Sequence, residues 1–284
     1  MAASYELHRE PDLESPVLVL GLEGWIDAGY AASSAGAVLL AAYDMSPVAT
    51  FDADELLDHR ARRPIMHLVD GVNTGLSWPG IELRSASDDA GNDLLFLLGA
   101  EPDHSWRAFT HAVVDLALQF GTRMVIGLGA YPAAVPHTRP TMLSVTASTP
   151  EVAAAWPYLR GTLDVPAGVQ AAIERRSAEV GLPAIGLWAQ VPHYTSAMAY
   201  PAASLALLEA LANVAGVAVP TGDLAGDAAT ARSRLDAIIA DNPEHAEMVE
   251  HLERESDHQV QAGPLPSGDD LAAELEQFLR EQGD

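Results

Sequence analysis

Apolar residues gather into four runs, each ending on a glycine-containing break and spilling into a short polar loop. They are Val17–Trp25 (VLVLGLEGW), Leu94–His104 (LLFLLGAEPDH), Met124–Pro140 (MVIGLGAYPAAVPHTRP) and Ala184–Ser196 (AIGLWAQVPHYTS). Runs of this kind predict strands buried on both faces, with their exit loops along one edge of a parallel or mixed sheet. Further strands are expected over Val48–Asp52, Ile81–Ala86 and Met142–Ala147, with a short edge strand or lead-in over Leu7–Glu14. Between Ile65 and Pro79 the chain reads as a polar, glycine- and asparagine-containing connection with room for one strand.

Helical spacing appears between the strands. Ala28–Tyr43 is a small-residue helix capped by Asp27, Asp54–Arg62 is short, and Ser105–Phe120 carries Trp106, Phe109, Val113, Leu116, Ala117 and Phe120 on one stripe. Pro150–Trp156 follows Thr149 with proline at its first position, Gly168–Val180 stops at Gly181, and Ala202–Ala215 stops at Gly216. This alternation predicts an α/β fold with a mixed, mostly parallel sheet flanked by helices. The expected division is an α/β core over 1–222 and a helical extension over 223–284, with helices at Ala228–Ala240, Pro243–Ser256 and Leu271–Arg280.

Charge sets the extension apart. The chain of 284 residues has a net charge of −25. Residues 223–284 hold sixteen acids against four arginines, so about half of the excess lies in the last fifth of the chain. Such acidity repels phosphate backbones and argues against a nucleic-acid partner. No apolar stretch approaches the roughly 20 residues that span a bilayer, and the first residues lack the pattern of a secretory signal. A cytoplasmic protein without a membrane partner is expected. Cysteine is absent, which excludes thiolate nucleophiles, disulfides and cysteine-held metal centres. Lysine is absent too, which excludes a Schiff-base lysine and a P-loop lysine. No cofactor is implied.

At the sheet edge where ligands of open α/β folds sit, four polar clusters are candidates. Glu23, Trp25 and Asp27 form the first, with Asp27 also a helix cap. Glu101, Asp103 and His104 form the second, in which Asp103 or Ser105 suits the cap of the following helix and Glu101 is a candidate acid or base. Tyr131, His137, Thr138 and Arg139 form the third, on a proline-stiffened loop where Arg139 could clamp an anionic group or pair with an internal acid. His193, Tyr194, Thr195 and Ser196 form the fourth. If the loops converge, Glu101 and His193 are the candidate catalytic pair, and Glu23, Asp27, His137, Arg139 and Tyr194 are the ligand-binding candidates. His104, His137 and His193 lack the short-range pairing of a metal motif, so no metal site is expected. Neither a Gly-x-Ser-x-Gly elbow nor a dinucleotide fingerprint is present.

The series GLEGWIDAGYAA, LLGAEPDHSW, GLGAYPAAVPHTRP, VPHY and PSGDDLAAELEQFL resembles the PAC2 (proteasome assembly chaperone 2) family, its actinobacterial branch above all. The likeness runs from about Glu14 to Leu279. It implies a phosphorylase/hydrolase-like α/β fold and a homo-oligomer, with a trimer as one form. Eukaryotic and archaeal members escort proteasome α subunits through a C-terminal hydrophobic–Tyr–X tail, whereas this chain ends Phe278-Leu-Arg-Glu-Gln-Gly-Asp. Some bacterial members carry a carboxylate–amine ligase label, which a lysine-free chain supports poorly. Two functions follow as expectations. One is a non-catalytic binding or assembly-chaperone-like protein, meeting a protein partner through its acidic C-terminal helices. The other is a small-molecule hydrolase or phosphorylase-like enzyme working at the strand exits.

Overall fold

A computed structural model of the protein describes residues 4–262. The helix expected over Leu271–Arg280 lies outside the described residues. Ten strands run in chain order as β1 (Tyr5–Leu7), β2 (Val17–Glu23), β3 (Ser46–Phe51), β4 (Ile65–Val69), β5 (Val72–Ser77), β6 (Ile81–Ser87), β7 (Asp93–Ala100), β8 (Met124–Ala133), β9 (Leu143–Ala147) and β10 (Ala184–Pro192). Eight α-helices accompany them: α1 (Ala31–Ala42), α2 (Ala53–Leu56), α3 (Trp106–Gln119), α4 (Pro150–Ala154), α5 (Val169–Glu179), α6 (Pro201–Ala215), α7 (Leu224–Ala240) and α8 (Pro243–Ala262).

Eight strands form one sheet in the order β1-β3-β6-β7-β2-β8-β10-β9. The four central strands β7, β2, β8 and β10 are parallel to one another, and the flanking pairs are antiparallel. Those four are the apolar runs of the sequence, so their exits do share one edge. Their alternation is strict: Val17 and Val19 enter the core beneath α1 and α6, while Leu18 and Leu20 enter the core beneath α3 and α5. Burial on both faces is why Val17–Leu20, Leu94–Leu97, Val125–Leu128 and Ala184–Leu187 carry no polar side chain.

Between β2 and β8 the sheet opens. The two strands pair from Val17 with Met124 to Leu20 with Gly127, then part, and touch again only where Asp27 bridges Ala130. Between those points β2 runs through Gly21–Ile26, six residues, while β8 uses only Leu128 and Gly129. The longer path cannot lie flat against the shorter one. Through Glu23 it follows β7, then turns at Gly24 (φ 138°) and swings back. A crevice is left between the diverging strands, at a point where α1, which follows β2, and α5, which leads into β10, lie on opposite sides of the sheet.

Two regions differ from the sequence reading. The connection at Ile65–Pro79 is a β-hairpin, β4 with β5, separate from the main sheet. Its turn is Asp70-Gly71, both at positive φ (49° and 80°), which suits a two-residue hairpin turn. Ile65, Met66, Leu68, Val69, Val72, Leu76 and Trp78 are exposed, on both faces of the ribbon. The segment expected as a helix over Asp54–Arg62 shortens to one turn, started by Asp52, whose carboxylate accepts the N–H groups of Asp54 and Glu55. Past the core, α7 and α8 fold back on the molecule, burying Leu224, Leu235, Val249 and Leu252. Among the described residues no helix is long and apolar enough to cross a membrane.

Candidate functional site

The crevice is a cavity of about 320 Å³. Gly21–Asp27 form one wall, Leu98, Gly99 and Glu101 the second, and Leu128, Gly129 and Trp188 the third. Helix α1 contributes Ala32, Ser33, Gly36, Ala37 and Leu40, and the start of α5 contributes Gly168, Val169 and Gln170. Glycines keep the third wall thin. A Cβ at Gly129 would run into the Trp188 ring, and one at Gly127 would run into the Gln170 side chain. Trp188 and Gln170 therefore lie directly on bare backbone, and the indole N–H of Trp188 donates to Thr146 Oγ1 at 3.2 Å. The Gln170 Nε2 is buried with no partner among the described residues. Thr146 in turn donates to Glu174 Oε2 at 2.7 Å, and burial pushes the Glu174 carboxyl up from the usual carboxylate range.

Glu101 is 7% exposed and stands where the sequence suggested a free acid, but it already has a structural partner. Its Oε1 accepts the N–H of Val169, the first residue of α5, at 2.5 Å. Gly168 has no side chain to cap that helix, so a carboxylate 68 positions earlier does it. Its own N–H donates to the Glu23 carbonyl at 2.6 Å, tying the two acidic loops together. The second oxygen of Glu101 and the whole Glu23 carboxylate have no hydrogen-bond partner among the described residues. Asp27 is occupied as expected: Oδ1 accepts from Ala32 N–H at 2.8 Å and Oδ2 from Ser33 N–H at 3.0 Å. Asp103 does not cap α3. It accepts the N–H of Asp58 at 2.9 Å and pairs with Arg62 at 3.3 Å, and Ser105 offers no side-chain cap either.

The remaining candidates do not line this cavity. His137 is 4% exposed and lies under the C-terminal helices. Its backbone N–H donates to the Tyr194 hydroxyl at 2.9 Å, and its Nδ1 lies 2.7 Å from the same oxygen. With that oxygen accepting the backbone proton, the Tyr194 hydroxyl donates to Nδ1, and Nε2 turns its proton to Asp236 Oδ1 at 3.1 Å on α7. Burial pushes the Tyr194 hydroxyl up to about 12, reinforced by the negative charge of Glu253 and Asp236. Thr138 donates to Glu253 at 2.5 Å. Arg139 holds Asp257 bidentately, Nε to Oδ1 at 2.8 Å and Nη2 to Oδ2 at 2.9 Å, with Nη1 3.2 Å from Glu253. The hydrogen bond to Asp257 raises the Arg139 pKa further above its ordinary value. The internal pairing weighed for Arg139 is thus the arrangement found. His193 is exposed, with its ring against Tyr194 at 5.3 Å between centroids.

The strand-exit edge therefore holds two assemblies, an acidic cavity with Glu23, Asp27 and Glu101, and a latch in which His137, Thr138 and Arg139 grip α7 and α8. Of the candidate pair, Glu101 lines the cavity and His193 does not. Among the described residues no cluster of three or more histidine or acidic side chains is placed to hold a metal ion.

Comparison with known proteins follows the same outline. The PAC2 family model matches residues 21–239. A protein of unknown function from Corynebacterium glutamicum ATCC 13032 is 33% identical with a TM-score of 0.84, covering 90% of this chain and 97% of its own. One from Mycobacterium tuberculosis, also of unknown function, is 38% identical with a TM-score of 0.83, covering 92% and 91%. A proteasome-assembly chaperone homologue from M. tuberculosis is 32% identical with a TM-score of 0.76, covering 82% and 99%. None of the curated proteins matches the chain.

Proposed function

The chain belongs to the PAC2 family, and from that premise we propose that it is a non-catalytic, assembly-chaperone-like protein of the cytoplasm that binds other polypeptides. One observation carries the reading. The candidate acid–base groups are committed to structure or dispersed, while the β4–β5 hairpin presents apolar side chains to solvent on both faces. An isolated two-stranded ribbon is marginal in water, and covering each such side chain contributes on the order of 1 kcal/mol or more. The occupant we assign to the hairpin is a second copy of this chain. Copies of a −25 protein repel one another, and the hairpin, whose single acid is Asp70, offers a surface where that repulsion is weak. The outer faces of α7 and α8, acidic and turned from the core, are the surface assigned to a different protein. The M. tuberculosis relative described as a proteasome-assembly chaperone homologue makes proteasome subunits the first partner to try.

Native mass spectrometry of the full chain, alone and with unassembled proteasome subunits, tests this. The expected result is a homo-oligomer that Leu68→Glu reduces to monomers, and a complex with subunits that precedes ring formation. A monomer at all concentrations, together with no subunit complex, would overturn the proposal.

A further inference from the structure

The cavity between β2 and β8 has a charge pattern that the partner reading does not use. Three acids line it, Glu23, Asp27 and Glu101, and no arginine or histidine does among the described residues. Asp27 is neutralised by two helix N–H groups. Glu23 and the second oxygen of Glu101 are not. The nearest guanidinium, Arg62, stands behind Gly24 at the cavity wall, where an added Cβ would be 2.7 Å from its Nη2. Its bonds go to the Glu101 carbonyl at 2.9 Å and to the Asp103 carboxylate at 3.3 Å, not to the Glu23 or Glu101 carboxylates. The Glu101 carboxylate itself accepts one hydrogen bond among the described residues, from Val169 N–H at the α5 N-terminus.

Around these carboxylates the surface is apolar and aromatic. The Trp25 ring lies over Gly168, where an added Cβ would be 3.1 Å from the indole and 3.0 Å from Glu101 Oε1. The buried carboxylate and the exposed indole are thus side by side. Leu22, Leu98 and Leu128 continue the wall inward. With Arg62 engaged by Asp103, a buried carboxylate with a vacant acceptor beside an aromatic ring suits a further positive charge. About 320 Å³ is room for a small ligand, at the lower end of the usual range for such sites.

We propose that this cavity binds an organic cation, an alkylammonium or guanidinium carried on an aliphatic stem. The charged head sits between Glu23 and Glu101 against Trp25, and the stem lies along Leu22, Leu98 and Leu128. A free amine and the arginine or lysine side chain of a peptide share this chemistry.

Isothermal titration of the full chain separates these sources and does not depend on the partner reading. The titrants are agmatine and cadaverine as free cations, the tripeptide Gly-Arg-Gly as the peptide-borne head, and hexanol and hexanoate as neutral and anionic stems. A cation is expected to bind with a Kd on the order of 100 μM, weakening as salt is raised. Hexanol and hexanoate are expected to give no heat. Glu23→Gln and Glu101→Gln should each weaken the cation roughly tenfold, since a charge-assisted bond is lost. Glu101→Gln keeps an oxygen for Val169 N–H, and an unchanged Tm verifies that the fold is intact. Preference for agmatine or cadaverine assigns a free amine, and preference for the tripeptide assigns a protein side chain; both support the site. Absence of binding by all three cations, equal binding of hexanol, or wild-type affinity in both variants would overturn it.

Discussion

Arg139 and Asp257 are joined by two parallel hydrogen bonds, 2.8 and 2.9 Å long, across 118 positions of sequence. This fork fixes the loop after β8 to α8, and the buried His137–Asp236 contact fixes the same loop to α7. Arg139→Ala and Asp257→Asn are expected to speed amide exchange in α8 without altering exchange in β2 or β7. A double-mutant cycle of exchange rates should show the two changes coupled, and additive effects would place the fastening elsewhere. Raising salt should loosen α8 in the wild type and have less effect in either variant.

Glu101 acts first as a cap. Glu101→Ala leaves Val169 N–H without its acceptor in a buried place, and the expected cost is about 1–2 kcal/mol of stability. Glu101→Gln retains an acceptor and should unfold in denaturant within about 0.5 kcal/mol of the wild type. Equal losses in both would show that charge, not the acceptor, holds the start of α5.

Glu174 ties stability to pH in the opposite sense from most carboxylates. Burial raises its folded pKa above the unfolded one, with the Thr146 hydrogen bond as the opposing influence. The folded state therefore binds the proton more tightly. The resulting stability is fully present below the unfolded pKa and is lost as pH rises through the folded value. Glu174→Gln, which keeps an oxygen for Thr146, should match the wild type in mild acid and exceed its Tm at neutral pH. A variant that melts below the wild type at neutral pH would contradict this.

Gly99 is confined by backbone on two counts. Its φ is 120°, outside the range that side chains favour, and a Cβ would strike the carbonyl of Gly80. No rotamer change relieves a clash with main chain. Gly99→Ala should cost about 2 kcal/mol or more in chemical denaturation, whereas an alanine at Gly36, with nothing within 4 Å, should be neutral or stabilising.

Where structure follows from local pattern, the sequence was readable. The runs at Val17, Leu94, Met124 and Ala184 could bury both faces only as central strands, and Asp27 five residues before Ala32 is a cap within reach. The capping role of Glu101 is not legible in the sequence, because its helix begins 68 residues later and no local rule pairs a carboxylate with an N–H at that distance. The hairpin does carry a local signal. Val69-Asp70-Gly71-Val72 sets an Asp-Gly turn between apolar residues, but the surrounding His, Asn, Thr and Ser made the stretch look like a loop. In α7 and α8 the apolar stripe predicted burial without saying against what. The answer lay in single polar partners, Asp236, Glu253 and Asp257, among many equivalent acids.

The turn at Gly24–Ile26 lies between two finished ladders, one with β7 ending at Glu23 and a bridge to β8 resuming at Asp27. Lengthening or shortening it would leave every core strand in register. Binding preference in this scaffold can thus drift, or be engineered, by editing three residues while the rest of the architecture is inherited unchanged.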